Sequence, residues 1–190
     1  ITSGLPMPGA WITPWQQDPG FQNGLWAGYT QVYKSFDQGS TWTQTTGTIT
    51  GSANMIALKV APSNFQVVYA ARTNLLATTT NGGTSWTTIT AGLPITSNVR
   101  ITNIEVDPND PNHVYVTLSG FTSGNKVYVS TNGGANWTNY STGLPNIPMN
   151  CIVYENGSND LVYVGCDVGI YYRDASMSSW ALFSTGLPNV

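Results

Sequence analysis

The chain has 190 residues, a formal net charge of -3 and only 8% charged residues, so Thr, Asn, Ser and Gly must supply most of its polar surface. This balance offers no basic patch for nucleic acid or an anionic membrane, and no apolar run reaches the roughly 18 residues needed to span a bilayer. His113, the only histidine, follows a Pro-Asn turn and reads as a solvated loop residue, which argues against a Ser-His-Asp triad or a zinc centre with His ligands.

In chain order, Trp11 to Trp15 reads as the first strand of a first unit, and Met55 to Val60 opens a second. The third is the clearest. Ile101 to Val106 ends at Asp107-Pro-Asn-Asp-Pro111, Val114 to Leu118 runs to a loop at 119–125, Lys126 to Val129 follows, and a turn leads into Trp137 to Tyr140. Asn150 to Tyr154 opens the fourth unit. β-Branched and aromatic residues fill these runs, Pro, Gly and Asn punctuate them, and no segment has a helical period. The expected class is therefore all-β.

Trp42, Trp86, Trp137 and Trp180 stand 44, 51 and 43 residues apart. Three of them close the same phrase: Ser35-Phe-Asp37-Gln-Gly39-Ser-Thr-Trp42, Thr79-Thr-Asn81-Gly-Gly83-Thr-Ser-Trp86 and Ser130-Thr-Asn132-Gly-Gly134-Ala-Asn-Trp137. Gly-Leu-Pro recurs at Gly4, Gly92, Gly143 and Gly186, whereas the first unit ends on Gly47-Thr-Ile-Thr-Gly51. A period of 40 to 50 residues with four short strands predicts β-propeller blades, here at about 7–46, 52–91, 98–142 and 147–185. Each blade buries its faces only by stacking on a neighbour.

The repeated phrase must reverse the chain between the third and fourth strands. Gly39, Gly83 and Gly134 can take positive φ, while Asp37, Asn81 and Asn132 can fold their side chains onto nearby backbone N–H groups. Ser35, Thr79 and Ser130 can add a further bond. Trp42, Trp86, Trp137 and Trp180 then pack between blades, each burial contributing about 2–3 kcal/mol. Calcium is the alternative use of these acidic and amide positions, weakened by Asn replacing Asp in two of the three copies. No other metal or cofactor is expected.

This phrase resembles the Asp-box, or BNR repeat, of sialidases, sortilin-type receptors and xyloglucanase-like glycoside hydrolases, whose pattern is Ser/Thr-x-Asp-x-Gly-x-x-Trp. Ser-Thr-Asn-Gly-Gly-Ala-Asn-Trp and Ser-Thr-Gly-Leu-Pro-Asn also resemble large exported Bacteroidetes surface proteins that carry such propellers beside PKD-type and C-terminal sorting domains. The resemblance implies a secreted or cell-surface protein. The fourth copy, Arg173-Asp-Ala-Ser-Met-Ser-Ser-Trp180, keeps the Trp but lacks the Gly and the amide or carboxylate, so its turn must be built differently.

Asp-box propellers usually have six or more blades. Ile1-Thr-Ser-Gly-Leu-Pro6 answers Ser184-Thr-Gly-Leu-Pro188, and Asn189 and Val190 would open a fifth blade, so a segment of a longer propeller is expected, with a four-bladed ring as the alternative. The absence of an initiator Met and of a signal-like stretch fits an export signal removed or lying outside the segment. Expected partners are further blades or domains of the same protein or other copies of it, and polysaccharide or a surface protein. Cys151 and Cys166 flank the Glu155 to Asp160 turn. A symmetric hairpin would set them face to face as a disulfide worth about 3 kcal/mol; two small buried thiols are the alternative.

Function is expected on the face formed by the loops between strands two and three and between successive blades. That face should gather Trp11, Tyr29, Arg72, Arg100, Phe121, Asn150 and Asp167. Aromatic rings there could stack on sugar, although Trp11 and Trp15 in an inner strand would more simply be core. The resemblance to sialidases implies three arginines on the substrate carboxylate. The chain has only Arg72, Arg100 and Arg173, and Arg173 falls in the degenerate box on the opposite side. A xyloglucanase-like hydrolase needs two carboxylates across a cleft. Asp167 is the only loop-face candidate, with Glu105 facing the channel, while Asp18, Asp107, Asp110, Glu155 and Asp160 belong to turns on the far side. The expectation is a noncatalytic extracellular propeller module for adhesion, matrix assembly or glycan or protein recognition. A fragment of a xyloglucanase-like glycoside hydrolase is the alternative, with a sialidase behind it.

Overall fold

The computed structural model describes residues 3–183, within which every regular element is a strand. Sheet one comprises β1 (Trp15–Gln17), β2 (Leu25–Gly28), β3 (Val32–Ser35) and β4 (Thr43–Gln44). Sheet two holds β5 (Ala57–Val60), β6 (Val68–Arg72), β7 (Leu75–Thr79) and β8 (Thr87–Thr88). Sheet three holds β9 (Ile101–Val106), β10 (Val114–Leu118), β11 (Val127–Ser130) and β12 (Thr138–Asn139). Sheet four holds β13 (Met149–Tyr154), β14 (Val162–Cys166), β15 (Gly169–Arg173) and β16 (Ala181–Leu182). Every sheet is a meander of consecutive antiparallel strands, and each stacks on the next in chain order through its first strands. This is the blade pattern of a β-propeller. The terminal phrases Ile1-Thr2 and Ser184 to Val190 lie outside the described residues.

The sheets are joined by one aromatic residue repeated at an equivalent register position. Trp26, Tyr69, Tyr115 and Tyr163 lie opposite Gln16, Lys59, Glu105 and Val153 respectively. The first three are 0%, 0% and 2% exposed, because each turns toward the following sheet. Tyr163 is half-buried, against the rings of Tyr172 and Phe183. In the middle sheets both faces are covered, so all five residues of β6 and of β10 are buried. Polar links cross the seams as well: Val60 N donates to Gln16 Oε1 (2.7 Å), Lys59 Nζ pairs with Glu105 (2.6 Å), and Thr102 Oγ1 donates to Met149 O (2.6 Å).

The Asp-box turns repeat atom for atom. The hydroxyls of Ser35, Thr79 and Ser130 accept the N–H of Gly39, Gly83 and Gly134 at 2.8, 2.9 and 2.8 Å, and donate to Asp37, Asn81 and Asn132. Those side chains in turn accept the N–H groups of Thr41, Ser85 and Asn136. The glycines have φ of 85°, 87° and 88°, which side chains with a Cβ rarely adopt. In the fourth copy Asp174 caps Ser176 instead, and Arg173 Nε donates to Met177 O while its guanidinium lies 3.7 Å over the Tyr140 ring.

Each later box tryptophan reaches back to the preceding sheet. Trp86 Nε1 donates to Thr45 Oγ1 (3.4 Å), Trp137 Nε1 to Ile89 O (2.9 Å) and Trp180 Nε1 to Tyr140 O. In the first sheet Trp42 Nε1 donates to Gly39 O of its own turn. Two of the Gly-Leu-Pro phrases have their cause here too. Ser3 O accepts Trp42 N and Thr142 O accepts Trp180 N, which brings Gly4 and Gly143 so near that a Cβ would lie 2.3 and 2.8 Å from the tryptophan carbonyl oxygens.

Asp37 supplies a pH test of the turn. Hydrogen bonds from Thr41 N, Thr41 Oγ1 and Ser35 Oγ lower its pKa from 3.8 to about 2. The folded pKa is the depressed one, so the ionised carboxylate stabilises the fold above the unfolded pKa, and that contribution is lost as pH falls through about 2. Asp37→Asn, which copies Asn81 and Asn132, should retain the turn but flatten the acid limb of the stability curve between those two values. Acid titration followed by near-ultraviolet circular dichroism measures it; an unchanged acid limb would contradict the assignment.

Candidate functional site

The loop face is built by the connections at 29–31, 73–74, 119–125 and 167–168, and by the crossings from each fourth strand to the next first strand. Two cavities are lined by residues of these connections. One, of about 610 Å³, is lined by Thr73, Asn74, Ser97 and Arg100 among others, and one of about 520 Å³ by Asn98, Gly120, Phe121 and Thr122. Arg100 is exposed and positioned by Nε donating to Ser97 O (3.0 Å) and by its N–H on Ser119 Oγ. Phe121 is 74% exposed at the edge of the second cavity. The 119–125 loop is anchored by the buried Lys126, whose ammonium donates to Gly120 O (2.7 Å). Burial pushes the Lys126 pKa down.

Further along this face, Asn150 Nδ2 donates to Asp167 Oδ1 (2.8 Å), both residues being exposed. Trp11 is fully exposed in the segment leading into β1. It lies outside the strand expected to hold it, because β1 begins only at Trp15.

Two of the expected loop-face residues are structural. Tyr29 is buried against Tyr33, edge to face at 6.0 Å. Arg72 is 2% exposed, and its guanidinium points inward to a cage of carbonyls. It donates to Thr30, Thr50, Gly51 and Ala53, tying sheet two to the crossing segment and to sheet one. Arg72 is the last residue of β6, and nothing in its strand showed that a ring of backbone carbonyls would draw it in.

The cysteines are free. Cys151 lies opposite Gly165 and Cys166 opposite Met149, with an irregularity between Met149 and Cys151. The register therefore differs by one residue from a symmetric hairpin, which places neighbouring side chains on opposite faces. His113 also departs from its expected role. Its side chain is only 13% exposed and its Nδ1 lies 3.3 Å from Asp107 Oδ2. Sequence reading missed this contact and Asp160 beside it, although Asp107-to-His113 and Glu155-to-Asp160 are equivalent turns of adjacent repeats.

The acidic residues sort cleanly. Glu105 is buried and ion-paired with Lys59; burial raises its pKa, partly offset by Lys59. Asp37 and Asp174 belong to box turns, and Asp18 accepts Trp26 Nε1 at that same end, away from the loop face. Asp107, Asp110, Glu155 and Asp160 lie in first-to-second-strand turns. Among the described residues, Asp167 is the one carboxylate of the loop connections.

Four repeated antiparallel meanders with three intact box turns define an Asp-box β-propeller. The chain belongs to the Sortilin-Vps10 family: the model described as sortilin, neurotensin receptor 3, matches residues 30–167. Among solved structures it is similar to an ancestral GH74 enzyme, at 25% identity and TM-score 0.71 over 95% of this chain and 25% of that one. The GH74 xyloglucanase of Xanthomonas campestris gives 18% identity and TM-score 0.67 over 90% of this chain and 30% of that one. The extracellular domain of a one-component system from B. thetaiotaomicron gives 13% identity and TM-score 0.67 over 96% and 23%. The two lower-identity likenesses concern the fold alone. The chain thus spans about a quarter of the length of the first of these structures. No curated protein matches it. Among the described residues no helix is long and apolar enough to cross a membrane.

Proposed function

We propose that the loop face is the ligand-binding surface of a noncatalytic extracellular propeller module, and that it holds an extended polysaccharide without cleaving it. The carrying observation is the pairing of exposed rings with a single carboxylate. Trp11 and Phe121 offer apolar faces to sugar rings, Arg100, Asn98 and Thr122 offer donors, and Asp167 is already engaged by Asn150. Hydrolysis of a glycosidic bond uses two carboxyl groups, an acid and a base or nucleophile, on either side of the bond. Membership in a family named for a receptor supports the same reading.

The second reading is a glycoside hydrolase whose other carboxylate comes from further blades, favoured by the likeness to GH74 enzymes and by the two outer faces. The outer face of sheet one carries an apolar pocket of about 400 Å³ lined by Leu5, Trp15, Leu25, Ala27 and Trp42 among others. That of sheet four presents Tyr163, Tyr172 and the exposed Val153. Further Asp-box blades, of this protein or of another copy, fit both faces.

Titration calorimetry with xyloglucan oligosaccharides tests the reading. Phe121→Ala should weaken binding about tenfold, the loss of one stacking contact of about 1.4 kcal/mol. Asp167→Asn should leave affinity within about twofold. Release of reducing ends by the native chain, abolished in Asp167→Asn, would replace the binding reading with the hydrolase.

A further inference from the structure

We propose that the seam between sheets three and four binds a divalent transition-metal ion of the zinc class through Asp107, His113 and Asp160. Asp107 and His113 bracket the turn between β9 and β10, and Asp160 lies in the turn between β13 and β14, so the donors come from two adjacent blades. One ligand atom from each residue lies within 4.8 Å of the others. His113 Nδ1 is 3.3 Å from Asp107 Oδ2 and 4.0 Å from Asp160 Oδ1. Tyr154 Oη completes the cluster, 3.2 Å from Asp107 Oδ2 and 2.6 Å from Asp160 Oδ1. An ion with bonds of about 2.0–2.2 Å holds tetrahedral ligands about 3.3–3.6 Å apart, so the His113–Asp107 separation of 3.3 Å already fits, while the three donors, now within 4.8 Å of one another, close on the ion by up to about 1 Å and Tyr154 stays outside as a hydrogen-bonding neighbour.

The donor set selects the ion. One imidazole nitrogen with two carboxylate oxygens suits zinc and its neighbours better than calcium or magnesium, which take oxygen shells. The local charge balance asks for a cation. Two carboxylates meet one phenolic proton, which can bond only one of them at a time, and among the described residues the one basic side chain within 4.0 Å of them is the His113 imidazole. The site is open on one side only: Asp107 and His113 side chains are 10% and 13% exposed, the His113 ring lies against Tyr115 at 4.8 Å, and Asp160, at 40%, faces solvent. Its place on the turn end, away from the loop face, makes it independent of the polysaccharide reading. Bound there, the ion would clamp blade three to blade four.

The test is calorimetric titration of the full chain, stripped with EDTA, with Zn²⁺ at neutral pH. One ion per chain is expected, with affinity reduced at least a hundredfold in Asp160→Asn and in His113→Gln. At a hundredfold excess over Kd the thermal midpoint should rise by about 5–10 °C and fall again with EDTA. Zinc X-ray absorption on the wild-type chain should show nitrogen and oxygen neighbours with an imidazole signature. Absence of binding, wild-type affinity in both variants, or sulfur neighbours from Cys151 or Cys166 would each overturn the site.

Discussion

Arg72→Met should lower the free energy of unfolding by about 3–5 kcal/mol, as expected when one side of a buried charged network is removed. Among the described residues, the wild-type guanidinium has no carboxylate partner in its cage. It is held by the carbonyls of Thr50, Gly51 and Ala53, which belong to a crossing segment with no ladder of its own, and by that of Thr30 in the β2–β3 connection. Methionine fills much of the volume but donates nothing, so four carbonyl groups lose their donor. Arg72→Lys should recover only a minor part, because an ammonium cannot present the planar fork that reaches carbonyls from two blades. Urea denaturation measures both. A loss below about 1 kcal/mol for Arg72→Met would put Arg72 back among the solvent-facing residues of the loop face.

Trp180→Ala should cost a similar amount, about 3–5 kcal/mol, the range for truncating a buried aromatic. Trp180 is 4% exposed, packs edge to face on Tyr140 at 5.7 Å and bonds the Tyr140 carbonyl. The loss therefore falls on the seam between sheets three and four. Trp180→Phe separates its two components. It keeps the ring contact, gives up the indole N–H, and should cost about 1–2 kcal/mol. Equal effects of the two substitutions in thermal unfolding would mean that the hydrogen bond, not the packing, holds the seam.

Much of the architecture could be read from the chain because the box turn is a local device. Ser35, Asp37 and Gly39 satisfy one another within five residues, so spacing alone specifies the structure, and three copies fix the period. Tyr29 and Arg72 show where such reading fails. Both follow or end a second strand, and β6 is buried on both faces, so alternation of polar and apolar residues no longer tells which way the Arg72 side chain turns. Arg72 is drawn inward by carbonyls up to 42 residues distant, a pairing no local pattern encodes. The cysteines failed on a single residue of register, set by the irregular pairing around Asn150. The Asp107, His113 and Asp160 cluster was hidden for the opposite reason: its members are ordinary turn residues until two blades bring them together.

The measurement that most directly tests polysaccharide binding without cleavage is size-exclusion chromatography of the chain incubated with a soluble polysaccharide. The account predicts that native protein co-elutes with polymer of unchanged length, and that Phe121→Ala shifts back toward the free-protein position. Polymer shortened over the incubation, or native protein that elutes apart from it, would contradict the account.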